Sequence, residues 1–94
     1  EGMIQDYKEA AKWWRKAAEL GNIAAMVPLG FMYSEGEGVI QDDVEAYAWI
    51  NVAAANGYKD ASENREKIKK DMTTEQIAEG QKRSREIMKT IAKK

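Results

Sequence analysis

EGMIQDYKEAAKWWRKAAELG, residues Glu1–Gly21, returns 36 residues later as EGVIQDDVEAYAWINVAAANG, residues Glu37–Gly57. Across Glu1–Ala25 and Glu37–Ala61, twelve aligned positions are identical, among them Asp6/Asp42, Glu9/Glu45, Trp13/Trp49, Ala17/Ala53 and Gly21/Gly57. A fixed period of this length marks a solenoid, in which one unit cannot bury its apolar face alone and stacks on the next. Within the first copy Tyr7, Ala10, Ala11, Trp14, Ala17 and Ala18 fall on one helical face, which Trp13 widens. Asp6 and Asp42 each precede a glutamate by three residues, the pattern of a capping box. Gly21 and Gly57 stand where a helix needs a left-handed cap.

Outward from this pair, a second helix is expected over about residues 23–34, with Ala25, Leu29, Met32 and Tyr33 toward its neighbours. Gly30 inside it implies a close helix approach, and Pro28 predicts a kink if it lies beyond the first turn. Ser34–Gly38 is the turn. A more polar fourth helix covers 58–71, with Ala61, Ile68 and Met72 as its apolar edge. There the repeat decays: Arg65 stands for Leu29 and Glu66 for Gly30. A worn final unit with a polar outer face is how solenoids close their ends. Thr73 and Gln76 form a third capping box, opening a last helix from about Thr74 to Ala92 with Ile77, Gly80, Ser84, Ile87, Met88 and Ile91 along one side. The reading is a single all-α domain of about five helices. Residues 1–21 are the second half of a truncated repeat, 22–57 a complete repeat, 58–72 a degenerate repeat helix and 73–94 a capping helix.

Composition narrows the chemistry. The 94 residues contain no cysteine and no histidine, which removes disulfides, thiolate metal sites and the commonest general base and metal ligand. No apolar run approaches the roughly 20 residues needed to span a bilayer. Net charge is −1 but divided: residues 1–58 carry four bases and nine acids, residues 59–94 eleven bases and seven acids. Gly36-Glu37-Gly38 lacks the lysine and hydroxyl of a phosphate loop. Glu35, Glu37, Asp42 and Asp43 lack the ligand spacing of a calcium loop, and Asp42 is better used as a helix cap. Trp13, Trp14 and Trp49 could stack bases, but their helical spacing and repeat equivalence favour core packing. Lys82, Arg83, Arg85, Lys89, Lys93 and Lys94 make the last helix basic, with Glu79 and Glu86 interrupting and no aromatics interleaved. No catalytic, metal or cofactor residue is nominated, and the chain is not expected to be an enzyme.

LGFMYSEGEGVIQDDVEAYAWINVAAANGYKDA resembles the Sel-one-like repeat, a relative of the tetratricopeptide repeat. The matching residues are Ala25, Leu29-Gly30, Met32-Tyr33, Gly36-x-Gly38-Val39, Asp42, Glu45-Ala46, Trp49, Ala53-Ala54 and Gly57. The resemblance implies a right-handed α/α superhelix acting as a protein-interaction scaffold, with the first helix of each unit lining the concave side. On that helix Val27, Phe31 and Ser34 share a face outside the motif and are the expected partner-binding residues. Their equivalents one repeat on are Glu63, Lys67 and Lys70. The alternative is that Val27 and Phe31 pack on an upstream helix or on the last one. The expected partner is a protein or peptide, with no nucleic acid and no cofactor. Two other roles stay open: homo-oligomerisation, as a homodimer through the truncated N-terminal face, and weak binding of a polyanion or lipid surface by the basic last helix. The chain opens within a unit, so further repeats and any export signal are expected upstream. It is expected to be soluble, with its compartment open.

Overall fold

The computed structural model describes residues 6–92. Among them are five helices and no strand: α1 Tyr7–Glu19, α2 Ile23–Glu35, α3 Asp43–Ala55, α4 Ala61–Lys69 and α5 Thr74–Ala92. Gly2, the equivalent of Gly38, and Lys93 and Lys94 of the basic end lie outside the described residues.

The helix boundaries follow from backbone groups that need partners. The Asp6 carboxylate accepts from the Glu9 amide and the Asp42 carboxylate from the Glu45 amide, each at 3.1 Å. At Thr73 the capping box is complete, because the Gln76 amide donates to Thr73 Oγ1 at 3.1 Å and the Thr73 amide to Gln76 Oε1 at 2.9 Å. At Asp42 it is not. The Asp42 amide donates instead to the Tyr33 carbonyl at 2.9 Å, which leaves the Glu45 side chain free for another use. The C-termini of α1 and α3 repeat each other. Asn22 donates to the Ala17 carbonyl and Gly21 to that of Ala18, while Tyr58 donates to the Ala53 carbonyl and Gly57 to that of Ala54. Gly21 and Gly57 have φ of 93° and 78°. These are two Schellman motifs at equivalent positions, each satisfying carbonyls its helix leaves open.

α2 packs between α1 and α3, and α3 is central, touching α2, α4 and α5. The close approach expected at Gly30 is present: a Cβ there would lie 2.5 Å from Ile50 Cγ1 and 3.1 Å from the Ala46 carbonyl oxygen. Gly80 does the same for α5, where a Cβ would meet the Tyr47 ring at 2.5 Å. Met26, Leu29, Ile50 and Val52 are fully buried in the resulting core. α5 packs chiefly on α3 and reaches the end of α1, where a Cβ on Gly21 would lie 3.3 Å from Ile91. Pro28 is the sixth residue of α2, yet the helix runs through it uninterrupted. The carbonyl it deprives of a donor belongs to Ala24, an exposed residue.

Where Arg65 replaces the Leu29 of the previous unit, a polar chain replaces apolar packing. Arg65 donates to Asn51 Oδ1, Asn51 Nδ2 donates to Ser84 Oγ, each at 3.1 Å, and Ser84 donates to the Gly80 carbonyl at 2.8 Å. Ser84 is buried and fully partnered, so α4, α3 and α5 are tied together without an orphaned polar group.

Candidate functional site

α1 presents two faces on opposite sides of its axis. One carries Ala10, Trp13, Trp14 and Ala17. The equivalents on α3 are Ala46, Trp49, Ile50 and Ala53, all buried. There Ala46 and Ile50 lie against Gly30 of α2, and Trp49 sits beside Ile87 and Ile91 of α5. α1 meets α2 with a different side, burying Ala11 and Ala18. Consequently Trp13 is 60% exposed and Trp14 40%. This corrects the expectation that all three tryptophans are core residues: spacing placed them on one face, but burial needs a helix across from it. The Trp13 indole NH donates to Glu9 Oε2 at 3.0 Å, and the Lys16 ammonium lies 5.8 Å from its ring centre. Tyr7, Ala10 and Trp14 of α1 form an open groove with Pro28 and Met32 of α2.

The other face carries Lys8, Lys12, Arg15 and Lys16. With Ala11, Gly38 and Val39 they line a groove of about 450 Å³ that ends at Glu19. Gly38 sets its far wall: at φ 76° it brings the α2–α3 turn so close that a Cβ would strike the Tyr7 carbonyl. Beyond Glu19 a smaller cavity of about 290 Å³ is lined by Trp49, Arg83, Ile87, Thr90 and Ile91. A polar network braces this region. Arg15 stacks 5.5 Å from the Tyr33 ring centre and donates to the Tyr33 hydroxyl. Arg83 grips the freed Glu45 carboxylate through two bonds of 2.7 and 3.3 Å. That bidentate grip raises the Arg83 pKa. Burial raises the pKa of Tyr33, opposed in part by the Arg15 charge.

The six residues expected from the sequence are not gathered in either groove. Val27 was expected as an exposed anchor, but it is 8% exposed and belongs to the core cluster. The reason is the position of α2: packed between two helices, it buries seven of its thirteen residues and has little side left for solvent. Phe31 is 39% exposed, and Ser34 is half-buried, its carbonyl accepting from Gln41 Nε2 at 3.4 Å. Glu63, Lys67 and Lys70 are exposed on α4 and its C-cap. In the basic last helix, Arg83 is held by Glu45 and Glu86, while Lys82, Arg85 and Lys89 are exposed. The basic groove on α1 was missed. Its signal is that the two copies differ there: Lys8, Lys12 and Lys16 stand where the second copy has Val44, Ala48 and Val52.

A family model described as the Sel1 repeat matches residues 1–22 and 23–58. The chain is 39% identical over 57 residues to an exopolysaccharide production negative regulator of Rhizobium leguminosarum bv. viciae, a match covering 61% of this chain and 21% of the relative. Its fold is similar to a crystal structure of a protective antigen present in uropathogenic Escherichia coli strains and displaying an SLR fold. That match has a TM-score of 0.89 and 38% identity, and covers 97% of this chain and 20% of the other. The chain thus spans only a small part of both proteins.

Proposed function

Because the chain belongs to the Sel1 repeat family, whose helical repeats are in general non-catalytic protein-interaction scaffolds, we propose that it is a binding module that receives an α-helix of a protein partner across α1 and α2. The observation that supports this is the exposure of Trp13 and Trp14 at positions whose equivalents, Trp49 and Ile50, are 4% and 0% exposed. The partner helix would use on Trp14 the kind of small-residue surface that α2 uses on Ile50, with a glycine or alanine at the crossing. Pro28 and Phe31, three residues apart on α2, extend the apolar surface; Ser34, Glu63, Lys67 and Lys70 carry no separate part in it. Full burial of the two indoles would supply roughly 2–3 kcal/mol each before the entropy of association is counted.

The test is an in-register extension. A second copy of residues 22–36 fused ahead of Glu1 restores the 36-residue spacing and places a copy of α2 over α1. Tryptophan emission should shift to the blue and the unfolding midpoint should rise, and Trp14→Glu should abolish both effects. An extended chain with unchanged emission and midpoint overturns the reading. If the unextended chain dimerises and Trp14→Glu abolishes the dimer, the face belongs to a second copy instead.

A further inference from the structure

Residues 1–58 contain nine acids and four bases, and all four bases line one groove. Lys8, Lys12, Arg15 and Lys16 are spaced by four, three and one along α1, so they form a single stripe. On α3 the equivalents Ala48 and Val52 are buried: Ser84 of α5 lies against the Ala48 carbonyl, and Val52 lines a cavity with Met88 and Ile91. The same helix face, Val44, Ala48, Asn51 and Val52 on α3, is therefore uncharged where α5 packs on it and cationic where it faces the groove. A merely solvated face is usually laced with opposite charges one turn apart. Here Glu9 is engaged by the Trp13 indole and Asp6 by the Glu9 amide, and the one acid lining the groove, Glu19, stands at its far end. Among the described residues no carboxylate forms an ion pair with any of the four.

We propose that this groove binds an acidic segment of a partner protein. Carboxylates would lie along the Lys8–Lys16 stripe above Ala11 and Val39, and an apolar side chain would enter the cavity beyond Glu19, against Trp49, Ile87 and Ile91. The stripe is about 12 Å long, long enough for a few carboxylates. Its flanks belong to a segment rich in acids, which repels a long polyanion. The proposal rests on the chain being an interaction module but not on the helix-receiving face, which lies on the opposite side of α1.

The probe is a fluorescein-labelled octaglutamate peptide followed by anisotropy at low salt, with octalysine and an oligothymidine as comparisons. Octaglutamate should bind, should weaken steeply as salt is raised, and should lose about tenfold in affinity in Lys12→Glu/Lys16→Glu. Both positions are exposed, and circular dichroism of the variant should match the parent. The neutral variants Lys82→Gln/Lys89→Gln on α5 and Trp14→Ala should leave binding close to that of the parent, so loss of the helix-receiving face does not register here. Binding that survives the α1 reversal, no octaglutamate binding at low salt, or tighter binding of oligothymidine than of octaglutamate each overturns the proposal.

Discussion

Trp13 and Trp49 occupy the same place in successive repeats, yet the first is largely exposed and the second buried against α5. Identity at aligned positions is therefore not identity of environment. Trp49→Ala should lower stability by about 3–5 kcal/mol, while Trp13→Ala should change it by less than about 1 kcal/mol. Urea unfolding followed by circular dichroism measures both. Equal losses would mean that the exposed indole is bound to something the isolated domain supplies.

Gly30→Ala sets two effects against each other. Alanine favours helix by roughly 1 kcal/mol over glycine. Its methyl would meet Ile50 at 2.5 Å and the Ala46 carbonyl oxygen at 3.1 Å. The clash should win, with a net loss of about 1–3 kcal/mol. Ile50→Ala in the same chain should relieve it, so the double variant should lose less than the two single variants added together.

Glu45 and Arg83 join α3 to α5 through a bidentate pair, with Arg83 partly open to solvent. A double-mutant cycle with Glu45→Gln and Arg83→Met should return a coupling of about 0.5–1 kcal/mol, reduced at high salt. A coupling that salt does not change would indicate a drier contact than the geometry shows.

Tyr33 should titrate late. Burial against α1 and α3 raises its pKa above 10.0, so the folded chain holds the phenolic proton more tightly than the unfolded chain does. Its contribution to stability is fully present below the unfolded pKa and is lost as pH rises through the raised folded value. A tyrosinate absorbance titration should show a late component that Tyr33→Phe removes. In Arg15→Met that component should move later still, because the opposing positive charge is gone.

The helices and their ends were readable because they are local. Asp6, Asp42, Thr73, Gly21 and Gly57 act on amides and carbonyls within a few residues, and the structure finds them doing so. Gly30 was readable for a related reason, since a glycine inside a helix needs a neighbour close by. Burial was harder. The same spacing that buries Trp49 leaves Trp13 in solvent, because exposure depends on which helix lies across from it. Val27 failed in the opposite sense, drawn into the core by neighbours on both sides of α2. The Glu45 side chain was misassigned within a correct pattern. Once Tyr33 takes the Asp42 amide, the carboxylate no longer closes the capping box and turns to Arg83, a residue 38 positions away.

The paired Schellman motifs bear on how such a chain can lengthen. At Gly21 and at Gly57 the hydrogen bonds that close a helix stay within five residues, and the Asp42 amide finds Tyr33 inside the same unit. A block of 36 residues cut between equivalent glycines thus carries its own terminators. Tandem duplication or deletion of such a block leaves no backbone donor or acceptor stranded at the seam. The remaining requirement is side-chain fit between neighbouring blocks, so drift at positions such as Lys12/Ala48 and Lys16/Val52 can diversify one surface while the reading frame of the array is preserved.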